Sequence, residues 1–133
     1  MKKLTPVDLL DQAFSWFVRL KHANNDGFCV CCTCGARVHW KQIDLGHFMP
    51  RKETSTRWEE KNTGPQCVDC NRHKNGRRDE FAQYLDRVYG EGTADKMRIQ
   101  AKKVLKLFPV ELVELRKFYL HEIADLKRAK GIK

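Results

Sequence analysis

The sequence predicts an α+β fold, with a cysteine-stapled module of short extended segments between an N-terminal helix and a C-terminal helical region. Three observations carry this. Cysteines crowd at positions 29, 31, 32 and 34 and again at 67 and 70. Between the two groups lie short pieces such as Arg37-Val-His-Trp40 and Gln42-Ile-Asp-Leu45, which suit extended chain better than helix. Both flanks instead carry apolar residues at helical spacing. The expected units are a helix within residues 1–27, the cysteine module at 28–78 and the helical region at 79–133.

Composition narrows the class. The chain has 133 residues, of which 41 % are hydrophobic, so its core is modest and a metal staple would help it. Lys and Arg number 26 against 17 Asp and Glu, a net charge of +9. Spread over loops and helices, such a surplus points to a polyanionic partner, nucleic acid above all. Cysteines this tightly clustered do not read as a secreted disulfide framework, and Asp8 and Asp11 interrupt any apolar leader segment. No apolar run reaches bilayer length, so no membrane partner is expected and the expected location is the cytoplasm.

Taken in order, Thr5-Pro6-Val7-Asp8 is a helix start: a capping hydroxyl, proline at the first helical position and an acid at the positive end of the dipole. Leu9, Leu10, Ala13, Phe14, Phe17 and Val18 follow near a 3.6 period to about Lys21, and Asn24-Asn-Asp-Gly27 ends the helix. Gly35 after Cys34 lets the chain turn its amides toward sulfur. Met49 to Glu60 is polar and basic and reads as a loop, and a short helix should follow Cys67 and stop near Gly76. From Asp79, Phe81, Tyr84, Leu85, Val88 and Tyr89 form a stripe ending at Gly90. Thr93 should cap a helix carrying Met97, Val104 and Leu105. Phe108-Pro109 breaks it, and a last helix over 110–129 aligns Leu112, Leu115, Tyr119, Ile123 and Leu126, a seam read first as core.

Thiolates at C-x-x-C spacing converge on one tetrahedral Zn²⁺. Cys31 with Cys34 and Cys67 with Cys70 make the expected structural zinc site. Cys29 and Cys32 also stand at that spacing, and Gly35 directly after Cys34 favours the later pair.

Between and after these pairs stand Asp44-x-Gly46-His47-Phe48-x-Pro50-Arg51, then Asn62, then Gln66-Cys67-x-x-Cys70-Asn71-x-His73-Lys74-x-Gly76. This arrangement resembles the HNH, or ββα-metal, endonuclease motif in its zinc-knuckle form. More narrowly it is similar to the NinG (Rap) recombination nucleases of lambdoid phages. The resemblance spans about Cys31 to Arg78, with a helical tail of similar kind. It implies a ββα-metal module and a metal-dependent DNA endonuclease acting on branched recombination intermediates, D-loops or Holliday junctions, that leaves 5′-phosphate and 3′-hydroxyl ends.

The chemistry of the residues stands beside the resemblance. Hydrolysis of a phosphodiester needs a water made nucleophilic, a divalent cation for the developing charge and a fixed base. His47 sits at a strand end, and a neutral imidazole suits the base role, which the family pattern also gives it. Asn62 matches the position that bonds backbone and holds the histidine, and Asn71 the helix position that ligates the catalytic ion, Mg²⁺ or Mn²⁺. Where many HNH enzymes place a ligand directly before the histidine, this chain has Gly46. Asp44 is the nominated ligand, although on a regular strand it would face away from His47 unless a bulge formed at Gly46. His73 and Asn75 are spare candidates. Arg51, Lys52, Arg57, Arg72, His73, Lys74, Arg77 and Arg78 are expected to meet the DNA backbone without reading bases. Symmetric cutting of a four-way junction would favour a homodimer through the last helix. Two other readings fit fewer residues: a non-catalytic zinc-knuckle module that binds nucleic acid, which Gly46 favours, and a sequence-specific HNH nuclease, which the short chain disfavours.

Overall fold

The first helix, α1 (Pro6–His22), begins as its sequence requires. Thr5 and Asp8 form a reciprocal capping box, with the Asp8 amide donating to Thr5 Oγ1 at 3.1 Å and the Thr5 amide to Asp8 Oδ2 at 3.0 Å. In this computed structural model, which describes residues 2–133, α1 buries Leu10, Ala13, Phe14, Phe17, Val18 and Leu20. Its main partner is the last helix of the chain, so the two ends of the sequence pack together.

Two antiparallel hairpins follow. In the first, β1 (Phe28–Val30) pairs with β2 (Arg37–His39), and the turn between them holds Cys31 and Cys34. In the second, β3 (Asp44–His47) pairs residue for residue with β4 (Thr63–Gln66): Asp44 with Gln66, Leu45 with Pro65, Gly46 with Gly64, His47 with Thr63. The expected extended pieces are thus shifted. Gln42 and Ile43 lie in the turn before β3, and β1 and β4 were not foreseen. Thr-Gly-Pro-Gln has no strand composition, and β4 exists because every one of its residues is buried. The long β3–β4 connection is not plain loop. It carries a one-turn helix, α2 (Thr54–Arg57), and a 3-10 turn at Glu60–Asn62.

After Cys67 the chain makes a π-helical turn, Asp69–His73, and then three consecutive left-handed residues, Asn75 (φ 54°), Gly76 (77°) and Arg77 (43°). This reversal lets α3 (Arg78–Tyr89) and α4 (Thr93–Ala101) pack on the far end of β3, where Phe48, Phe81, Tyr84, Leu85, Ala94 and Met97 form a second core. Two expectations are corrected here. Thr93 is not the cap of α4; that position is Gly92, with Thr93 already helical and its hydroxyl donating to the Gly90 carbonyl at 2.7 Å. Val104 and Leu105 lie beyond the end of α4; Val104 is 97 % exposed, while Leu105 lines a shallow pocket with Val7, Trp58 and Leu112.

Helix α5 (Pro109–Lys130) buries Leu112, Tyr119 and Ile123, with Leu115 and Leu126 packed at the edge of the main core. Tyr119 meets Phe14 edge-on at 5.2 Å and Phe17 at 5.0 Å. At the far end of the pair, Lys130 Nζ donates to the carbonyls of Leu20 (2.9 Å), Lys21 (2.9 Å) and Ala23 (2.5 Å), satisfying acceptors that α1 leaves free. The seam foreseen on this helix is therefore core, while Val110, Val113 and Phe118 stay exposed. Among the described residues, no helix is long and apolar enough to cross a membrane.

Candidate functional site

Four cysteines lie together: the sulfurs of Cys31, Cys34, Cys67 and Cys70 are all within 4.8 Å of one another. Cys34 Sγ and Cys67 Sγ are 3.7 Å apart, matching the edge of about 3.8 Å for a tetrahedron with Zn–S bonds near 2.3 Å. The donor set and spacing fit a structural zinc. The backbone is arranged for thiolates: the Cys67 amide donates to Cys31 Sγ at 3.3 Å and the Cys70 amide to Cys67 Sγ at 3.4 Å. Gly35, at φ +82°, closes the first turn with its amide on the Cys31 carbonyl at 3.0 Å. Burial opposes ionisation of Cys31, yet bonds from the Cys67 amide and from Thr33 outweigh it and hold the thiol below its ordinary range.

The remaining two cysteines are inert. Cys29 is buried in the main core, its sulfur bonded to the Arg19 carbonyl at 3.1 Å, and burial pushes its thiol up to about 11. Burial likewise raises Cys32, which sits against Gly64 and the second core.

A cleft of about 570 Å³ opens beside this staple, between α1, β3 and the π-turn. Asp44, His47, Arg51, Asn71, Arg72 and Arg78 all line it, together with Asp11, Phe14, Ser15, Leu45 and Pro50. Asp44 and His47 reach it without a bulge. They stand at opposite ends of β3, separated by about 10 Å of strand.

His47 is held by a backbone group. Its Nε2 lies 2.9 Å from the Arg57 carbonyl, an acceptor only, so Nε2 carries the proton and Nδ1 keeps the free lone pair. Burial dominates its titration and, with the Arg51 and Arg57 charges adding, lowers its pKa to about 4 against the pull of the Arg57 bond. The imidazole is therefore neutral at pH 7.

Asn62 is fully buried and does not touch His47. Its Oδ1 accepts from the Met49 amide at 2.8 Å, and its Nδ2 donates to the carbonyls of Met49 and Thr56, both at 3.1 Å. It thereby fixes the chain two residues after His47 and one residue before the carbonyl that bonds His47. Asn71 donates to Asp44 Oδ2 at 2.9 Å, and Arg72 grips the same carboxylate with Nε and Nη2, each at 2.8 Å. Those two side chains and Asp44 form one cluster.

The arginines divide into groups. Arg51, Arg72 and Arg78 face the cleft, while Arg57 is turned inward, its Nε 3.0 Å and Nη2 2.5 Å from the Asp11 carboxylate. That pairing anchors Arg57 to α1 rather than leaving it exposed as Arg51, Arg72 and Arg78 are. Arg77 is also partly buried, beside Cys70, which raises its pKa. Lys52 and His73 are exposed, and Lys74 stands 3.6 Å from Asp69. Asn75 cannot share a helical face with Asn71, because it has left the helix at φ 54°.

Asp11 is the site residue that sequence reasoning missed. It also accepts from Trp58 Nε1 at 2.9 Å, so it fixes both residues that flank the carbonyl holding His47. Its one signal was an acid between the apolar positions Leu10 and Phe14.

Fold and site define a class: a small basic α+β protein whose two hairpins meet at a four-cysteine metal site beside a polar cleft. A family model described as bacteriophage lambda NinG protein matches residues 2–130. The chain belongs to the NinG family. Neither the curated proteins nor the solved structures searched yielded a match.

Proposed function

We propose that this protein is a divalent-metal-dependent DNA endonuclease of the HNH type, acting on branched recombination intermediates such as D-loops and Holliday junctions in phage recombination. The observation that carries the reading is the cleft. A neutral histidine with a fixed tautomer stands across from a carboxylate–asparagine pair, and three arginines surround them.

The roles follow from the groups. Nδ1 of His47 takes the proton from a water that attacks phosphorus, and Arg57 O on Nε2 keeps the ring oriented and stabilises its charged form. Asp44 Oδ1 and Oδ2 with the Asn71 amide oxygen are hard oxygen ligands of the type Mg²⁺ and Mn²⁺ prefer. The bound ion supplies charge stabilisation for the phosphate and the leaving 3′ oxygen. Arg72, paired with the Asp44 carboxylate at 2.8 Å and exposed on its other side, stands at the cleft edge where it would meet phosphate. As the new O–P bond forms, the P–O3′ bond breaks, leaving a 5′-phosphate and, after protonation, a 3′-hydroxyl.

The test compares a labelled four-way junction, a D-loop and linear duplex with Mg²⁺ or Mn²⁺, using native protein and His47→Ala. Branched DNA should be cut by the native protein alone, with binding retained in the variant. Equal cutting of linear DNA would keep the nuclease and remove the branched preference. The Asp44–Arg72 pair adds to Gly46 in favouring a non-catalytic binding module, and binding without cutting under every divalent metal would establish it.

A further inference from the structure

Arg78 is shared between the His47 cleft and a second pocket of about 720 Å³ on the other side of the chain leaving β3. Its floor is apolar, from Phe48, Met49 and Ala101, and its rim carries Arg98, Lys102 and Glu53. None of these residues takes part in the cleft.

We propose that this pocket seats one unpaired nucleotide of the DNA strand that leaves the cleft. The inference rests on the reading of the cleft as a phosphodiester site, since continuity through Arg78 brings the strand here. A base inside a duplex is stacked and paired on its Watson–Crick edge, so only an unpaired one can enter.

Each wall matches one part of a nucleotide. The Arg98 guanidinium lies 5.0 Å over the Phe48 ring, and its side chain is 49 % exposed. A base can therefore stack on the outer face of a plane already held by an aromatic ring. Arg78 and Lys102 are placed for the flanking phosphates. Glu53 stands at the N-cap of α2 yet makes no side-chain bond to that helix. A carboxylate oxygen accepts, and an unpaired base can offer it a donor on its Watson–Crick edge, an exocyclic amino group or a ring N–H.

The walls are also fixed in advance. Ser55 Oγ donates to the Gln100 carbonyl at 2.6 Å and Gln100 Nε2 to the Ser55 carbonyl at 2.8 Å, which locks α2 to α4. Asn62 holds Met49 through both of its backbone groups. A pocket built before the ligand arrives loses little ordering entropy on binding.

The test is fluorescence anisotropy with Ca²⁺ replacing the catalytic ion, so that DNA is bound and not cut. Probes are a blunt duplex and the same duplex with a three-nucleotide overhang of dA or dT. Native protein should bind the dA overhang about tenfold more tightly than the blunt duplex, as one stacked base allows. Arg98→Ala should remove most of that advantage, Lys102→Ala should reduce it a few-fold, and the dT overhang should show the same dependence on both residues. Lys102 is exposed and its side chain bonds nothing, so that variant reads the pocket even if Arg98→Ala folds poorly. Equal affinity of native protein for blunt and overhanging DNA, together with His47-dependent cutting, would overturn the pocket and leave the cleft. Absence of binding to any DNA would overturn both.

Discussion

At Gly46 a Cβ would lie 2.3 Å from Gln66 Oε1 and 2.9 Å from the Phe81 ring. Gln66 cannot retreat, because its Nε2 is bonded to Thr33 Oγ1 at 3.0 Å and to the Gly76 carbonyl at 2.8 Å. The residue before His47 is thus glycine for packing. Gly46→Ala should lower stability by about 1–3 kcal/mol in urea unfolding, and a variant as stable as the native protein would refute that account. His47 makes a second prediction at this scale. Its native pKa near 4 lies below the unfolded value of about 6.5, so between these values the unfolded chain binds a proton that the native chain refuses. Stability is full above pH 6.5 and falls as pH drops toward 4, by about 3 kcal/mol at most from this group. Burial lowers His22 in the same direction. Replacing His47 with Gln should flatten the fall measured by denaturation at pH 7, 6, 5 and 4, and an unchanged slope would show that other groups cause it.

The β3–β4 connection shows how a short element can be specified by side chains outside it. Helix α2 has a single turn and no side-chain cap, too short to persist by itself. Asn62 holds it instead, through the Thr56 carbonyl and both backbone groups of Met49. Asn62→Ala leaves these buried groups without partners and should cost about 3 kcal/mol. It should also loosen the Arg57 carbonyl on His47. A loss of DNA cleavage larger than the loss of folded protein, followed by circular dichroism, is the expected result; parallel losses would reduce Asn62 to a stability role. This hydrogen-bonding pattern was not readable from Met49–Glu60, whose polar composition looks like loop, because the partner lies beyond the segment.

For the whole molecule the four-cysteine site is the joint. It ties the β1–β2 turn to the residues that leave β4, and Gln66 crosses the same boundary by bonding Thr33. Chelating the metal at neutral pH should lower Tm by about 10 °C or more, and elemental analysis should find one zinc per chain in the native protein and none in Cys70→Ser. Cys29→Ala should keep full zinc, since that sulfur bonds the Arg19 carbonyl in the core. Loss of zinc in Cys29→Ala would move the first half of the site to the Cys29–Cys32 pair, and full zinc in Cys70→Ser would refute the four-cysteine site.

The sequence by itself determined what depends on spacing along the chain. The Thr5–Asp8 cap, the apolar stripes of α1 and α5 and the C-x-x-C pairs are local patterns, and the structure realises each of them. Only the tertiary structure decided what depends on contact across the chain. A strand formed at Thr63–Gln66 because burial and β3 demanded it. Arg57 turned inward because Asp11, far away on α1, offers a carboxylate at 2.5 Å. Asp44 and His47 came to one cleft from opposite ends of a regular strand because α1 and the π-turn close its walls. Spacing fixes which groups a segment carries, but partners distant in sequence fix which of those groups are free to act.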